Sequence, residues 1–198
     1  MKTAVLISGR GSNLQALIGA GIDIVLVISN VPDARGLGRA KKAGIATAVI
    51  DHKDFDDRET FDQAMTKAIE DAGAELVCLA GFMRILSDDF IKHWWDRLIN
   101  IHPSLLPDFK GLDVHQRVID ARANQSGCTV HFVRPEMDSG PIIMQATVPV
   151  MANDDAGALA ARILVQEHII YPKAVKLIAE GRVSVEDDKA LIDGSPAV

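Results

Sequence analysis

Five runs of apolar residues organise the first half of the chain: TAVLIS at 3–8, IDIVLVIS at 22–29, ATAVI at 46–50, ELVCLA at 75–80 and RLINIH at 97–102. Most are continuous and rich in branched side chains rather than alternating, which is the pattern of strands buried on both faces. Stretches with helical spacing separate them. GSNLQALIGA follows the first run, residues 33–43 end at Gly44, and residues 55–72 put Phe61, Met65 and Ile69 on one face before stopping at Gly73. A glycine just past a periodic segment ends a helix because it accepts the left-handed backbone at that point. Strands alternating with helices predict a parallel, doubly wound, Rossmann-like sheet covered on both faces.

The second half has another rhythm. CTVHFV (128–133) and PIIMQATVPV (141–150), joined by RPEMDSG, predict antiparallel strands added at the sheet edge. Residues 154–180 predict one long helix, capped by Asn153 or Asp154 and kinked at Pro172, whose ring removes an internal hydrogen bond. The polar tail from Arg182 has room for one or two small strands. The expectation is an α/β chain forming one domain over 1–198, with halves at 1–100 and 101–198.

Composition changes the picture mainly by exclusion. The chain has 198 residues, 48% hydrophobic and 24% charged, ordinary for a globular protein with its own core. No apolar run approaches the roughly 20 residues of a membrane span. The first apolar stretch runs straight into Gly9 and Gly11, unlike a signal peptide, so a cytoplasmic protein is expected. Cys78 and Cys128 sit in apolar segments and read as reduced core thiols, with no CxxC pair and no zinc-ligand spacing. A net charge of −6 without a basic run argues against nucleic acid as partner. A small anionic ligand remains compatible if positive groups gather locally.

Four motifs carry candidate chemistry. SGRGSN (8–13) joins a strand to a helix; its glycines allow close backbone approach and the helix start offers unpaired N–H groups, which suits phosphate. It equally suits a tight turn capped by Ser12. It is neither GxGxxG nor a Walker loop, so neither a dinucleotide nor nucleotide hydrolysis is implied. NIHPSLLP (100–107) ends the fifth strand, where ligands of open α/β sheets gather. Asn100 and His102 alternate with Ile101 and share a face. An amide donor beside an imidazole can stabilise an oxyanion and move a proton near neutral pH. PEMDSG (135–140) carries Asp138 in a turn, either a solvated turn residue or a proton acceptor. QEH (166–168) puts Glu167 in an apolar helix, either at its surface or in a site.

LISGRGSNLQALI, LAGFMRIL, NIHPSLLP, GCTVHFV, Asp138-Ser139-Gly140 and VQEHIIYP, in this order, resemble the phosphoribosylglycinamide formyltransferases over about residues 3–182. The resemblance implies a formyltransferase fold whose half 1–100 binds phosphate and ribonucleotide and whose half 101–198 binds folate. It implies Asn100, His102 and Asp138 as catalytic residues, with Gly11, Ser12, Asn13 and Glu167 on the ribonucleotide. For the folate it implies Arg58, Met83, Arg84, Ile85 and Leu86, then Asn100, Arg134, Pro135, Glu136, Met137 and Asp138. His131 matches a histidine beside the site. The co-substrate implied is 10-formyltetrahydrofolate, the acceptor glycinamide ribonucleotide, with no metal, no nucleic acid and no membrane, in a monomer or homodimer. The alternative is another folate-dependent formyl enzyme. A methionyl-tRNA formyltransferase is expected to carry a further domain and basic surface, and a formyl-folate hydrolase a preceding regulatory domain. SGRGSN and QEH suit a ribonucleotide better than a sugar amine. The chain departs from the family pattern at Ser126, where many members have His, at Asp108, where a basic residue is common, and in a short first-helix exit, LQALIGAGID.

Overall fold

The computed structural model describes residues 1–198, which divide into two compact units, Met1–Asn100 and Ile101–Val198. In the first unit β1 (Thr3–Ile7) is buried along its whole length, as its unbroken apolar run requires. It leads through Gly11 into α1 (Ser12–Gly19), then β2 (Ile24–Ser29), α2 (Arg35–Lys42) and β3 (Ala46–Val49). A short 3-10 turn at His52–Asp54 precedes α3 (Arg58–Asp71), β4 (Leu76–Leu79), α4 (Asp88–His93) and β5 (Leu98–His102). The strands lie in the order β3-β2-β1-β4-β5, all parallel.

The second unit holds α5 (Val114–Asp120), the antiparallel pair β6 (Gln125–Phe132) and β7 (Ile142–Pro149), and α6 (Ala156–Ala179). A small antiparallel sheet follows, built of β8 (Val183–Glu186), β9 (Lys189–Ile192) and β10 (Ser195–Pro196). The architecture is the expected one: a mostly parallel sheet with antiparallel strands, flanked by helices that include a long C-terminal one. No helix is long and apolar enough to cross a membrane.

Several local expectations are corrected. Ser12 does not cap α1; Gly11 holds the cap position at φ +68° and no side chain bonds there. A Cβ on Gly11 would lie 2.6 Å from the Gly36 Cα, so glycine lets the start of α1 touch α2. Neither Asn153 nor Asp154 caps α6. Asp155 does, accepting the Ala158 N–H, while Asp154 accepts the Met151 N–H and pairs with Arg162 at 2.6 Å. The single long helix is present as expected: α6 contains Pro172 within its span, buried together with Tyr171 and Ala174. Tertiary packing holds this helix together across the missing N–H. α4 and α5 were not anticipated, and the tail contains three strands rather than one or two. Cys78 and Cys128 are free and buried, as expected; burial and then the Glu167 charge push the Cys128 thiol up to about 12.

Candidate active site

A buried polar cluster is assembled within residues 101–198. β5 ends on His102, 5% exposed, and β6 carries His131, 2% exposed. The connection between β6 and β7 carries Asp138 in the left-handed region at φ +50°, a conformation that aspartate tolerates better than most residues. One Asp138 carboxylate oxygen, Oδ2, accepts the Gly111 N–H at 2.8 Å and lies 3.5 Å from His102 Nδ1. The other, Oδ1, lies 3.8 Å from His131 Nε2. His102 Nε2 is 3.1 Å from the Phe109 carbonyl. His102 thus stands between two acceptors, a carbonyl and a carboxylate. A neutral ring has one N–H and satisfies one of them; an imidazolium satisfies both.

The segments presenting these groups are held from behind. The Thr129 hydroxyl donates to the Ser104 carbonyl at 2.7 Å and accepts from the Leu106 N–H at 3.1 Å. Gln145 Nε2 donates to the Leu106 carbonyl and to the Thr129 hydroxyl, both at 2.9 Å. These bonds fix the HPSLLP segment, whose Leu106–Pro107 peptide is cis. The Asp138 turn is closed by the Ser139 hydroxyl on the Glu136 carbonyl at 2.8 Å and by the Phe132 N–H on the Pro141 carbonyl at 2.9 Å. A Cβ on Gly140 would overlap the Phe132 carbonyl, so the turn closes only over glycine.

Two further histidines share this environment. Burial lowers His131 to about 4, against the opposing pull of the Phe132 carbonyl and Asp138, and its Nδ1 lies 2.9 Å from that carbonyl. His131 is therefore a neutral ring near pH 7. Burial, then the proximity of His102, lowers His115 on α5. Asn100 is half-buried on β5 and shares the face of His102 by strand alternation. Glu167 is buried on α6 at 8% exposure, which removes the exposed-surface reading.

The remaining folate-implied residues of this unit are less uniform. Pro135, Glu136 and Met137 are exposed, and Glu136 lies 3.7 Å from Lys110 Nζ. Arg134 is buried and its Nε donates to Asp188 Oδ1 at 2.8 Å, so its guanidinium is engaged by the C-terminal hairpin.

Residues 1–100 contain a second group. Ser12 is half-buried and Asn13 buried at the start of α1. Ser8 Oγ donates to Asn30 Oδ1 at 2.6 Å and accepts the Met83 N–H at 2.7 Å, while the Ser8 N–H donates to the Gly81 carbonyl at 3.1 Å. The ends of β1, β2 and β4 are stitched together by one hydroxyl. Met83 and Ile85 are 66% and 61% exposed, Arg84 is exposed, and Leu86 is buried. Arg58 is exposed at the first turn of α3. A cavity of about 280 Å³ between α3 and α4, lined by Asp62, Ser87, Phe90 and His93 among others, includes none of these residues.

The structure thus brings His102, Asp138 and His131 together. The Phe109 carbonyl, the Gly111 N–H and the Thr129–Gln145 brace were not foreseen. Gly111, at φ +83°, was the only trace of the first two in the sequence. No group of three or more His, Cys, Asp or Glu side chains is arranged around a metal position.

A family model described as formyl transferase matches residues 1–175. The phosphoribosylglycinamide formyltransferase of Escherichia coli (strain K12) is 45% identical, covering 98% of this chain and 94% of its own. A solved phosphoribosylglycinamide formyltransferase from Coxiella burnetii, in complex with CHES, superposes with a TM-score of 0.95 at 42% identity, over 99% of this chain and 95% of that one. The trifunctional purine biosynthetic protein adenosine-3 of Gallus gallus is 49% identical over 93% of this chain, which spans only 19% of that longer protein.

Proposed function

Because the chain belongs to the formyl transferase family, among its phosphoribosylglycinamide formyltransferases, we propose that it transfers the formyl group of 10-formyltetrahydrofolate to the primary amine of glycinamide ribonucleotide. The products are formylglycinamide ribonucleotide and tetrahydrofolate, in de novo purine synthesis in the cytoplasm. The observation that carries this reading is His102 held between the Phe109 carbonyl and the Asp138 carboxylate. The names of the relatives favour the ribonucleotide over a sugar amine as acceptor.

The amine nitrogen attacks the formyl carbon and the carbonyl π electrons move to oxygen. The Asn100 amide and the His102 ring stabilise that oxyanion, the principal electrostatic contribution in acyl transfer. Asp138, through a water, takes the proton the attacking nitrogen sheds. When the bond from carbon to the folate nitrogen breaks, that proton passes to the leaving nitrogen. The amine is already a nucleophile, so the step needs no metal-bound hydroxide. Gly11, Ser12 and Asn13 receive the substrate phosphate on the N–H groups at the head of α1. Glu167, buried on α6, accepts hydrogen bonds from the ribonucleotide. Arg58, Met83 to Leu86 and the backbone of Arg134 to Asp138 hold the folate. Much of the rate comes from holding two substrates in contact, which turns a bimolecular step into a local one.

The test is spectroscopic. Deformylation of 10-formyltetrahydrofolate is followed with and without glycinamide ribonucleotide. The expected result is turnover only with the amine. Equal deformylation without it refutes the assignment and points to a hydrolase.

A further inference from the structure

Asp138 sits in a connection that is itself pinned from a distant part of the chain. Val133 to Pro141 links β6 to β7, and Arg134 is a buried charged side chain within it, with 6% exposure. Its Nε donates to Asp188 Oδ1 at 2.8 Å, across 54 residues of sequence. Its Nη1 also donates to the Val133 carbonyl at 3.2 Å. Asp188 stands at the tip of the β8–β9 hairpin. Glu186 and Lys189 pair across a two-residue turn in which Asp187 and Asp188 have φ of +48° and +56°. Positive φ at both central positions is the turn that matches the twist of a hairpin.

The arginine stem then reaches the Asp138 turn. A Cβ built on Gly140 would lie 3.0 Å from Arg134 Cγ and would overlap the Phe132 carbonyl. The Gly140 backbone therefore lies close against the Arg134 stem and the end of β6, two residues past Asp138. A buried guanidinium that loses its facing carboxylate is driven towards water, because desolvating an unmatched charge is unfavourable. Such a movement withdraws the stem from Gly140 and frees the turn. The carboxylate is then no longer held 2.8 Å from the Gly111 N–H and 3.5 Å from His102.

We propose that Asp188, acting through the buried Arg134, is a positioning residue that sets the Asp138 carboxylate against His102. The proposal rests on the formyltransferase reading given above. Asp188 touches no reacting atom in this scheme. Its side chain is exposed on the hairpin, so its replacement leaves the core intact while removing the anchor.

The test compares Asp188→Asn, Asp188→Glu and, as a hairpin control, Glu186→Gln. Wild-type turnover with glycinamide ribonucleotide checks the underlying reading first. Asp188→Asn is then expected to lower kcat roughly 10- to 100-fold, the scale of a sub-ångström to ångström misplacement near the chemistry. KM for the ribonucleotide stays unchanged, Asp188→Glu recovers part of the loss, and Glu186→Gln matches wild type. In an Arg134→Met background, Asp188→Asn has no further effect on kcat if it acts through the arginine. The second readout needs no activity: the imidazole nitrogen shifts of His102, assigned with His102→Gln, move in Asp188→Asn and not in Glu186→Gln. If Asp188→Asn does not fold, Asp188→Glu carries both readouts. Unchanged kcat together with unchanged His102 shifts, at a temperature where the variant is fully folded, overturns the proposal. An inactive wild type whose His102 shifts still respond to Asp188→Asn refutes only the assigned reaction.

Discussion

His131 allows the electrostatics of the cluster to be tested without substrate. Its ring is 2% exposed at the end of β6, and burial is the largest influence, lowering it from the ordinary 6.5 to about 4. In the unfolded chain the same ring titrates at its ordinary value. Between the two values the folded ring is neutral and the unfolded one is protonated. The folded pKa is depressed, so for this basic group the contribution to stability is whole above the unfolded value. It is lost as pH falls from 6.5 towards about 4. A gap of about 2.5 pH units at 1.36 kcal/mol each corresponds to about 3 kcal/mol. At about pH 5, two-thirds of it, about 2 kcal/mol, is already expressed. The perturbation is His131→Gln, which keeps a polar side chain and cannot titrate. Urea unfolding, followed through the buried Trp94, is measured for both proteins at about pH 7.5 and about pH 5. Wild type is expected to lose about 2 kcal/mol more than the variant over that interval. The variant starts lower because it loses ring packing, but the difference in slope is the quantity read. Parallel losses would falsify the picture of His131 as a neutral buried ring and make it a candidate source of positive charge for Asp138.

Four further outcomes follow from the geometry. His102→Ala should lower turnover by roughly 10²- to 10⁴-fold with an unchanged circular dichroism spectrum; near-normal turnover removes His102 from the chemistry. Gly140→Ala should cost about 3 kcal/mol or more in thermal unfolding, because its methyl overlaps a backbone carbonyl that cannot rotate away. Asp155→Ala should cost about 1 kcal/mol by loss of the α6 cap, and Asp155→Asn should restore most of it in urea titrations. Ser126 is buried on β6 and its hydroxyl has no hydrogen-bond partner, so Ser126→Ala should raise stability by about 1 kcal/mol. Ser126→His at this buried position should instead destabilise by about 1–3 kcal/mol, where the family pattern alone suggests little effect.

β1, β2, β4 and β5 were legible because a strand covered on both faces must be apolar throughout, and β1 and β4 are buried at every position, whereas β3, at the sheet edge, has an apolar run although none of its residues is buried. α3 was legible because Phe61, Met65 and Ile69 recur at the helical period over 14 residues and Gly73 ends it. α4 and α5 were not, since six and seven residues make fewer than two turns and leave no period to detect. The α6 cap was missed by one or two positions, because Asn153, Asp154 and Asp155 all have side chains able to cap. Only the folded backbone decided which one faces the Ala158 N–H.

The candidate site divides along the same line. Asn100 and His102 share a face by strand alternation alone, a property of adjacent residues that any sequence displays. Asp138 meets Gly111 across 27 residues, and Arg134 meets Asp188 across 54. Spacing along a chain carries no information about such contacts, because they depend on where turns send the backbone. The sequence by itself determined which segments must be buried, and hence the α/β architecture and the strand end that bears His102. The tertiary structure alone decided that the Asp138 carboxylate lies beside that imidazole, that His131 is dry and neutral, and that the Arg134 guanidinium is bound to Asp188. Burial of apolar side chains is local and additive and can be read residue by residue, whereas the charge state and aim of a polar group depend on partners that only folding brings within reach.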